Sequence, residues 1–288
     1  MSARGSRSAG LSAARSGMPT LVMLIAALYF LLPLWWLFVA STKSRGELAN
    51  SNGLLFSDFQ FFSNVSDLFA RDGSIYVTWL LNSVLYALVA GVFSTLLAAM
   101  AGYALAKYQF RGREAVFNTI LAGVLVPTTA LALPLFLLFS EVSLTNTYWA
   151  VFVPSLVSPL GVYLARIYAG AAVPDTLIEA ARIDGAGEFR IFFTIAVRLM
   201  SPALVTIFLF QFVAIWNNFF LPLIMLTDQD LFPVTYGLFV WNSQTVREPA
   251  LQTLTITGAF VSVVPLILAF LMLQRFWRSG LSAGAVKG

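Results

Sequence analysis

Six stretches of this chain are long, apolar and free of Asp, Glu, Lys and Arg: Thr20–Ala40, Thr78–Ala106, Ala115–Phe139, Tyr148–Ala165, Ser201–Leu226 and Leu251–Leu273. Crossing the hydrocarbon of a bilayer takes about 20 residues of helix. No water is available there to satisfy an unpaired backbone group, so the helix is the form such a stretch takes. The stretches predict an all-α membrane protein with six transmembrane helices. The charge content agrees: 10% of the 288 residues are charged and mean hydropathy is +0.84, against roughly 25% charged residues in soluble domains. There is no Cys and no His, which removes disulfides, thiolate metal sites and the usual proton shuttle.

The basic residues set the orientation. If the N-terminus is cytoplasmic and six helices alternate, the inner segments hold Arg4, Arg7 and Arg15; Lys107, Arg111 and Arg113; Arg166, Arg182, Arg190 and Arg198; and Arg275, Arg278 and Lys287. The outer side keeps only Lys43, Arg45, Arg71 and Arg247. The positive-inside rule therefore predicts an N-in, C-in topology. Three segments follow: a disordered cytoplasmic leader over 1–19, a membrane domain over 20–279 that includes a loop over 170–198, and a cytoplasmic tail over 280–288. A secretory signal is the rival reading of the first span. Its apolar region would be about 7–15 residues long, whereas this one runs on through Leu34-Trp35-Trp36-Leu37-Phe38, so an uncleaved anchor is expected. Trp35, Trp36, Trp79, Trp149, Trp241 and Trp277 fall near the span ends and suit interfacial belts, with packing the alternative for any one of them. The outer segment Lys43–Val77 is long enough for a short helix with Phe56, Phe59, Phe61, Phe62 and Phe69 on its apolar face. Glu141–Thr147 reads as a tight turn, and Asp228–Ala250, with two prolines, as a re-entrant or scoop-like piece.

Carriers that couple to ions or protons generally place ionisable groups inside the membrane, and these spans have none. Their polar residues are amides and hydroxyls, among them Asn82, Ser83, Gln211, Asn217 and Asn218. Gln211, Asn217 and Asn218 are candidates to line a path for a neutral polar solute; equally, such groups join helices to one another. The energy source is expected on a partner. Pro127, Pro134, Pro154, Pro159, Pro222 and Pro265 predict interrupted or kinked spans.

Gly170–Arg198 differs from every other inner segment. Its four acids, Asp175, Glu179, Asp184 and Glu188, outnumber Arg182, Arg190 and Arg198. Pro174 and Asp175 suit a helix start, and Asp184-Gly185 suits a stop, because Gly readily takes the left-handed conformation past a helix end. Glu179 and Arg182 stand three apart and are expected to pair. A second amphipathic helix follows, with Phe189, Phe192, Phe193 and Ala196 on one face. Two helices joined by a Gly turn, with small alanines on one side, suit a knob for a protein socket. Helices lying on lipid headgroups are the competing reading, but they favour more Lys and Arg than this loop has.

Glu179-Ala180-Ala181-Arg182-Ile183-Asp184-Gly185-Ala186 resembles the E-A-A-x-x-D-G-A core of the coupling loop in permease subunits of binding-protein-dependent ABC importers. Asn82-Ser83, Ala101-Gly102-Tyr103-Ala104-Leu105-Ala106 with Phe110-Arg111-Gly112-Arg113, Trp216-Asn217-Asn218-Phe219 with Pro222-Leu223, and the ending Gln274-Arg275-Phe276 with Gly280-Leu281 and Gly284-Ala285-Val286-Lys287-Gly288 are similar to the carbohydrate-uptake, MalG-like branch. The resemblance covers Thr20 to the end. One departure is Val197-Arg198, where the family carries Leu-Pro; the helix is expected to run on there without a kink.

The resemblance implies a non-catalytic membrane subunit in a bacterial-type cytoplasmic membrane. Its implied partners are a homologous second permease, a cytoplasmic ATPase dimer, an extracytoplasmic solute-binding protein and the lipid bilayer, with no nucleic acid. Glu179, Ala180, Ala181, Asp184, Gly185 and Ala186 are the implied ATPase-docking residues. It implies no catalytic or metal residues and no cofactor in this chain, with ATP and Mg on the ATPase. The implied solute is a sugar or oligosaccharide. Alternatives are a secondary carrier or facilitator, a membrane-embedded enzyme, or the same permease class for glycerol phosphate, polyols or amino acids.

Overall fold

A computed structural model describes the backbone of residues 6–284 and the side chains of residues 18–274 and 276. The described residues form helices, turns and loops, with no strand among them. The helices are α1 (Ser6–Ser41), α2 (Arg45–Asn50), α3 (Phe61–Ala70), α4 (Ile75–Lys107), α5 (Arg113–Leu125), α6 (Thr128–Glu141), α7 (Tyr148–Ser155), α8 (Pro159–Ala172), α9 (Asp175–Ile183), α10 (Glu188–Leu199), α11 (Ser201–Trp216), α12 (Phe220–Met225), α13 (Val234–Gln244) and α14 (Ala250–Gly284). The leader expected to be disordered is helical from Ser6. The side chains of Arg4, Arg7, Arg15, Arg275, Trp277, Arg278 and Lys287, and of the 280–288 tail, lie outside the described ones.

Four helical segments are long and apolar enough to cross a membrane: Met18–Ser41, Ile75–Lys107, Tyr148–Ala172 and Ala250–Gln274. The pairs Arg113–Leu125 with Thr128–Glu141 and Glu188–Leu199 with Ser201–Trp216 raise the number to six if each bent pair is one span. The first pair is bent by 98°. Pro127 supplies no N–H and drives Val126 into the extended region (φ −80°, ψ 118°), which ends a helix before it. The second pair is bent by 83°: the helix runs on through Val197-Arg198 as expected, but only to Leu199. The break comes at Met200 (φ −83°, ψ −1°), and Pro202 opens the helix that follows. The fifth apolar stretch also stops short of its expected end. Its helix closes at Trp216, and Asn218 Oδ1 accepts from the Leu221 N–H at 3.3 Å to start a separate short helix.

The chain divides into two compact units, the segment up to Ala70 with Gln244–Val261, and Arg71–Ser243 with the segment from Ser262 on. In the first, the loop after α1 folds onto the helix end. Asn64 Nδ2 donates to Ser41 O and Lys43 O at 2.9 and 3.0 Å, and Trp35 Nε1 donates to Leu54 O at 3.0 Å. Phe38 packs edge-on against Phe56 and Phe61 and lies 5.2 Å from Phe260.

The second unit is centred on α4 and α8. They cross at small residues: a Cβ on Gly102 would stand 2.5 Å from Ala165 Cβ, and one on Gly161 would stand 3.0 Å from Ala98 Cβ. Inside lipid no hydrophobic force draws helices together, so close backbone approach through small residues is what holds them. Ser158 caps α8 by accepting from the Gly161 N–H, with Pro159 in the first turn. α4 carries one π turn, Tyr86–Ala90.

Candidate functional site: the acidic loop and its ties to α4

The loop over 170–198 folds as the short helix α9, a turn, and α10. The turn is fully hydrogen-bonded. Gly185 has φ +79°, its N–H donates to Arg182 O at 3.0 Å, and the Ala186 N–H donates to Ala181 O at 2.9 Å. This is the Schellman closure of a helix, which needs a left-handed residue where Gly185 stands. Beneath it the loop is apolar. Ile178, Ile191 and Phe192 are buried in one cluster with Tyr103 of α4 and Ala169 and Val173 at the end of α8.

The expected docking residues lie together on this knob. Glu179, Ala180, Asp184 and Gly185 are exposed, and Ala181 and Ala186 are half-buried against the cluster. Two apolar side chains accompany them, Ile183 at 86% exposed and Phe189, expected on the apolar face of α10, at 71%. The signal for Ile183 was an apolar residue flanked by Arg182 and Asp184, at the last turn of a helix whose buried side was already occupied. The expected face of α10 is split. Phe192 and Ala196, four apart, are buried, while Phe189 and Phe193, four apart on the neighbouring stripe, are exposed; a π turn covers Phe192–Ala196.

The expected Glu179–Arg182 pair is not formed. Arg182 Nε instead donates to Glu188 Oε1 at 2.7 Å, across the turn. The Tyr108 hydroxyl donates to Glu188 Oε2 at 2.6 Å, and Lys107 Nζ pairs with Asp175 Oδ1 at 2.8 Å. The Arg182 guanidinium first, then the Tyr108 hydroxyl, hold the Glu188 carboxyl below its ordinary value of 4.5. Lys107 and Tyr108 close α4, so both limbs of the loop are tied to that helix. A pocket of about 280 Å³ opens between them, lined by Met100, Tyr103, Ala104, Tyr108, Glu188, Phe189 and Phe192.

The other end of α4 binds a different segment. Trp79 Nε1 donates to Gln229 O at 2.8 Å, Asn82 Nδ2 to Asp230 O and Phe232 O at 2.7 and 3.1 Å, and the Tyr86 hydroxyl to Leu231 O at 3.1 Å. Ser83 Oγ accepts from the Val234 N–H at 2.7 Å, and Asn82 Oδ1 accepts from Tyr148 at 3.1 Å. The expected scoop-like piece is thus a 3-10 turn and a helix fastened to α4. Trp79 and Trp241 are buried with ring centroids 4.6 Å apart, and a Cβ on Gly237 would come within 2.2 Å of the Trp79 indole. These two tryptophans belong to the core and not to an interfacial belt.

The candidate path residues are scattered. The Gln211 amide spans the break between α7 and α8, donating to Ser155 O at 3.3 Å and accepting from Ser158 Oγ at 3.1 Å. Asn217 is exposed and donates back to Val213 O, whereas half-buried Asn218 starts α12. Among the described residues no three His, Cys, Asp or Glu side chains converge as metal ligands would.

Residues 94–279 match the family described as binding-protein-dependent transport system inner membrane component. The chain is 37% identical over 260 residues to the arabinooligosaccharides transport system permease protein AraQ of Halalkalibacterium halodurans, covering 89% of this chain and 91% of that protein. It is 32% identical over 266 residues to the lactose transport system permease protein LacG of Rhizobium radiobacter, covering 92% and 94%. It shares its fold, with TM-score 0.77 and 22% identity over 96% of this chain and 99% of the other, with a chain in the crystal structure of a bacterial ABC transporter involved in the import of the acidic polysaccharide alginate. The matched region takes in the knob, the end of α4 that fastens it and the bent helices around them, and the chain belongs to the family of inner membrane components of binding-protein-dependent transport systems, the permeases of ABC transporters.

Proposed function

We propose that this chain forms part of the translocation path of an ATP-driven importer for a sugar or oligosaccharide, and that the 175–186 knob docks into a cytoplasmic ATPase. The observation that carries the reading is the knob itself. It is a helix closed by a hydrogen-bonded turn at Gly185, rooted in a buried cluster, and left with Ile183, Phe189 and Glu179 exposed. Apolar side chains this exposed on a rigid, net-acidic element suit a protein socket better than water or lipid headgroups. The relatives' named solutes, arabinooligosaccharides and lactose, support a carbohydrate cargo. Amide and hydroxyl groups in the spans suit it too.

In this reading six spans cross a bacterial cytoplasmic membrane with both ends inside, as the basic residues favour. A homologous second permease completes the path, with Asn217 and Asn218 toward the solute and Gln211 stabilising the break in the fourth span. An ATPase dimer binds the ATP and Mg, closes on them and carries the knob with it, so that the spans open alternately to either side. A solute-binding protein delivers cargo from outside. This chain holds no catalytic residue and binds no cofactor of its own.

Co-purification tests the docking. Ile183→Asp and Gly185→Val should each lower ATPase recovery about tenfold, the effect of losing roughly 1.4 kcal/mol, while the chain still inserts in the membrane. Glu179→Lys should leave hydrolysis running without uptake in a reconstituted complex. Stoichiometric ATPase recovery with both Ile183→Asp and Gly185→Val would refute the docking assignment.

A further inference from the structure

α4 is held at both ends by side chains aimed at loops that the proposed function places on opposite faces of the membrane. We infer that α4 is the strut through which a solute-loaded binding protein outside controls the ATPase inside, with Ser83 and Tyr108 as positioning residues at its two ends. The inference rests on the docking reading of the 175–186 knob.

The outer attachment is a row of buried polar groups. Asn82 and Ser83 are 5% and 1% exposed, and with Trp79 and Tyr86 they form one helical face that takes up the backbone of 229–234. Removing one partner from a buried pair strands the other, which is where hydrogen bonds matter most. The 229–234 segment therefore moves with α4 and not independently of it. The inner attachment uses Lys107 to Asp175 at the start of the docking helix and Tyr108 to Glu188 beyond its end. Arg182 joins the same carboxylate from within the helix, so the knob is gripped on both sides of the Gly185 turn.

The span between the two grips suits transmission. Ser83 to Lys107 covers roughly 36 Å at 1.5 Å per residue, more than the hydrocarbon thickness of about 30 Å. Along that length α4 packs on α8 so closely that Gly102 has no room for a Cβ, so a tilt at one end is carried to the other. The one irregular stretch is the π turn Tyr86–Ala90, beside the outer grip. A load on 229–234 thus reaches α9 through a single packed helix.

The test uses the complete complex, purified with its own ATPase and second permease and reconstituted in nanodiscs. ATP hydrolysis is measured without and with saturating solute-loaded binding protein. Recovery of the ATPase with the unaltered chain is scored first, and its failure refutes the docking reading alone. Ser83→Ala and Tyr108→Phe each delete one hydroxyl and keep the packing. Each should hold ATPase recovery and basal hydrolysis within about twofold and cut the stimulated increment about tenfold, within the usual range of coupling energies. The double variant should lose no more than the worse single one, since both lie on one path. Ser83→Thr, which keeps the hydroxyl, should restore stimulation. Normal stimulation in both single variants, multiplied losses in the double, or recovery at higher binding-protein concentration would overturn the strut. Should Ser83→Ala fail to assemble, Tyr108→Phe with Glu188→Gln decides alone: normal stimulation in Tyr108→Phe overturns it, and loss there with retention in Glu188→Gln, which keeps an acceptor oxygen, supports it.

Discussion

Gly185 is the residue on which the knob turns. Its φ of +79° is left-handed, while nothing lies within 4 Å of where a Cβ would stand. Substitution there is therefore opposed by backbone strain and not by crowding. Gly185→Ala should cost about 1–2 kcal/mol of local stability, and Gly185→Asn less, because Asn tolerates this region. Hydrogen exchange at Ala186, whose N–H closes the turn, should speed up more in Gly185→Ala than in Gly185→Asn. Glu188 gives a pH prediction. Its folded pKa is depressed, so the Arg182–Glu188–Tyr108 contacts are present above the ordinary carboxylate value and are lost as pH falls through the lower folded one. Exchange protection in 182–188 should stay flat from neutral pH down through the ordinary carboxylate value and weaken only below it; in Glu188→Gln that acid step should vanish. The stop at Asp184-Gly185 was legible in the sequence because it is local. The partner of Arg182 was not. Spacing offered Glu179, and the Gly185 turn delivers Glu188 at 2.7 Å instead.

At the scale of elements, apolar length located the membrane segments and proline located most of their breaks. Pro127 and Pro159 stand where helices are interrupted. The break at Met200 was missed because the familiar Leu-Pro is replaced by Val197-Arg198, yet Pro202, four residues beyond Arg198, opens a new helix after a bend of 83° all the same. The end of α11 at Trp216 was missed for another reason: hydropathy measures residence in lipid and is blind to whether the helix continues through Asn217 and Asn218. The split face of α10 was likewise invisible, since the spacing puts all four residues on one apolar side and does not say which of its two stripes meets the buried cluster. The α4–α8 crossing makes a prediction here. Gly102→Val should cost about 1–3 kcal/mol by overpacking, read as a lower Tm of the detergent-solubilised protein. Gly170→Val, at a helical glycine with nothing within 4 Å of its Cβ position, should cost much less.

In the whole molecule, α4 joins the proposed carbohydrate path to the proposed docking knob. Family membership and the helical membrane architecture were legible because they rest on long apolar runs and on an ordered series of motifs. The ties at Tyr108 and Ser83 were not, because they join residues 80 and 151 positions apart that only the folded chain brings together. The proposed sidedness has a direct consequence, since Val246 is 92% exposed on the loop before α14 and Ile183 is 86% exposed on the knob. The most direct measurement uses the chain's lack of cysteine. Single cysteines at Ala180, Ile183 and Val246 are cross-linked in membranes to an ATPase carrying cysteines along its surface cleft. The account predicts cross-links from Ala180→Cys and Ile183→Cys that block uptake, and none from Val246→Cys. Cross-linking from Val246→Cys, or its absence from both knob positions in a complex that still transports, would contradict it.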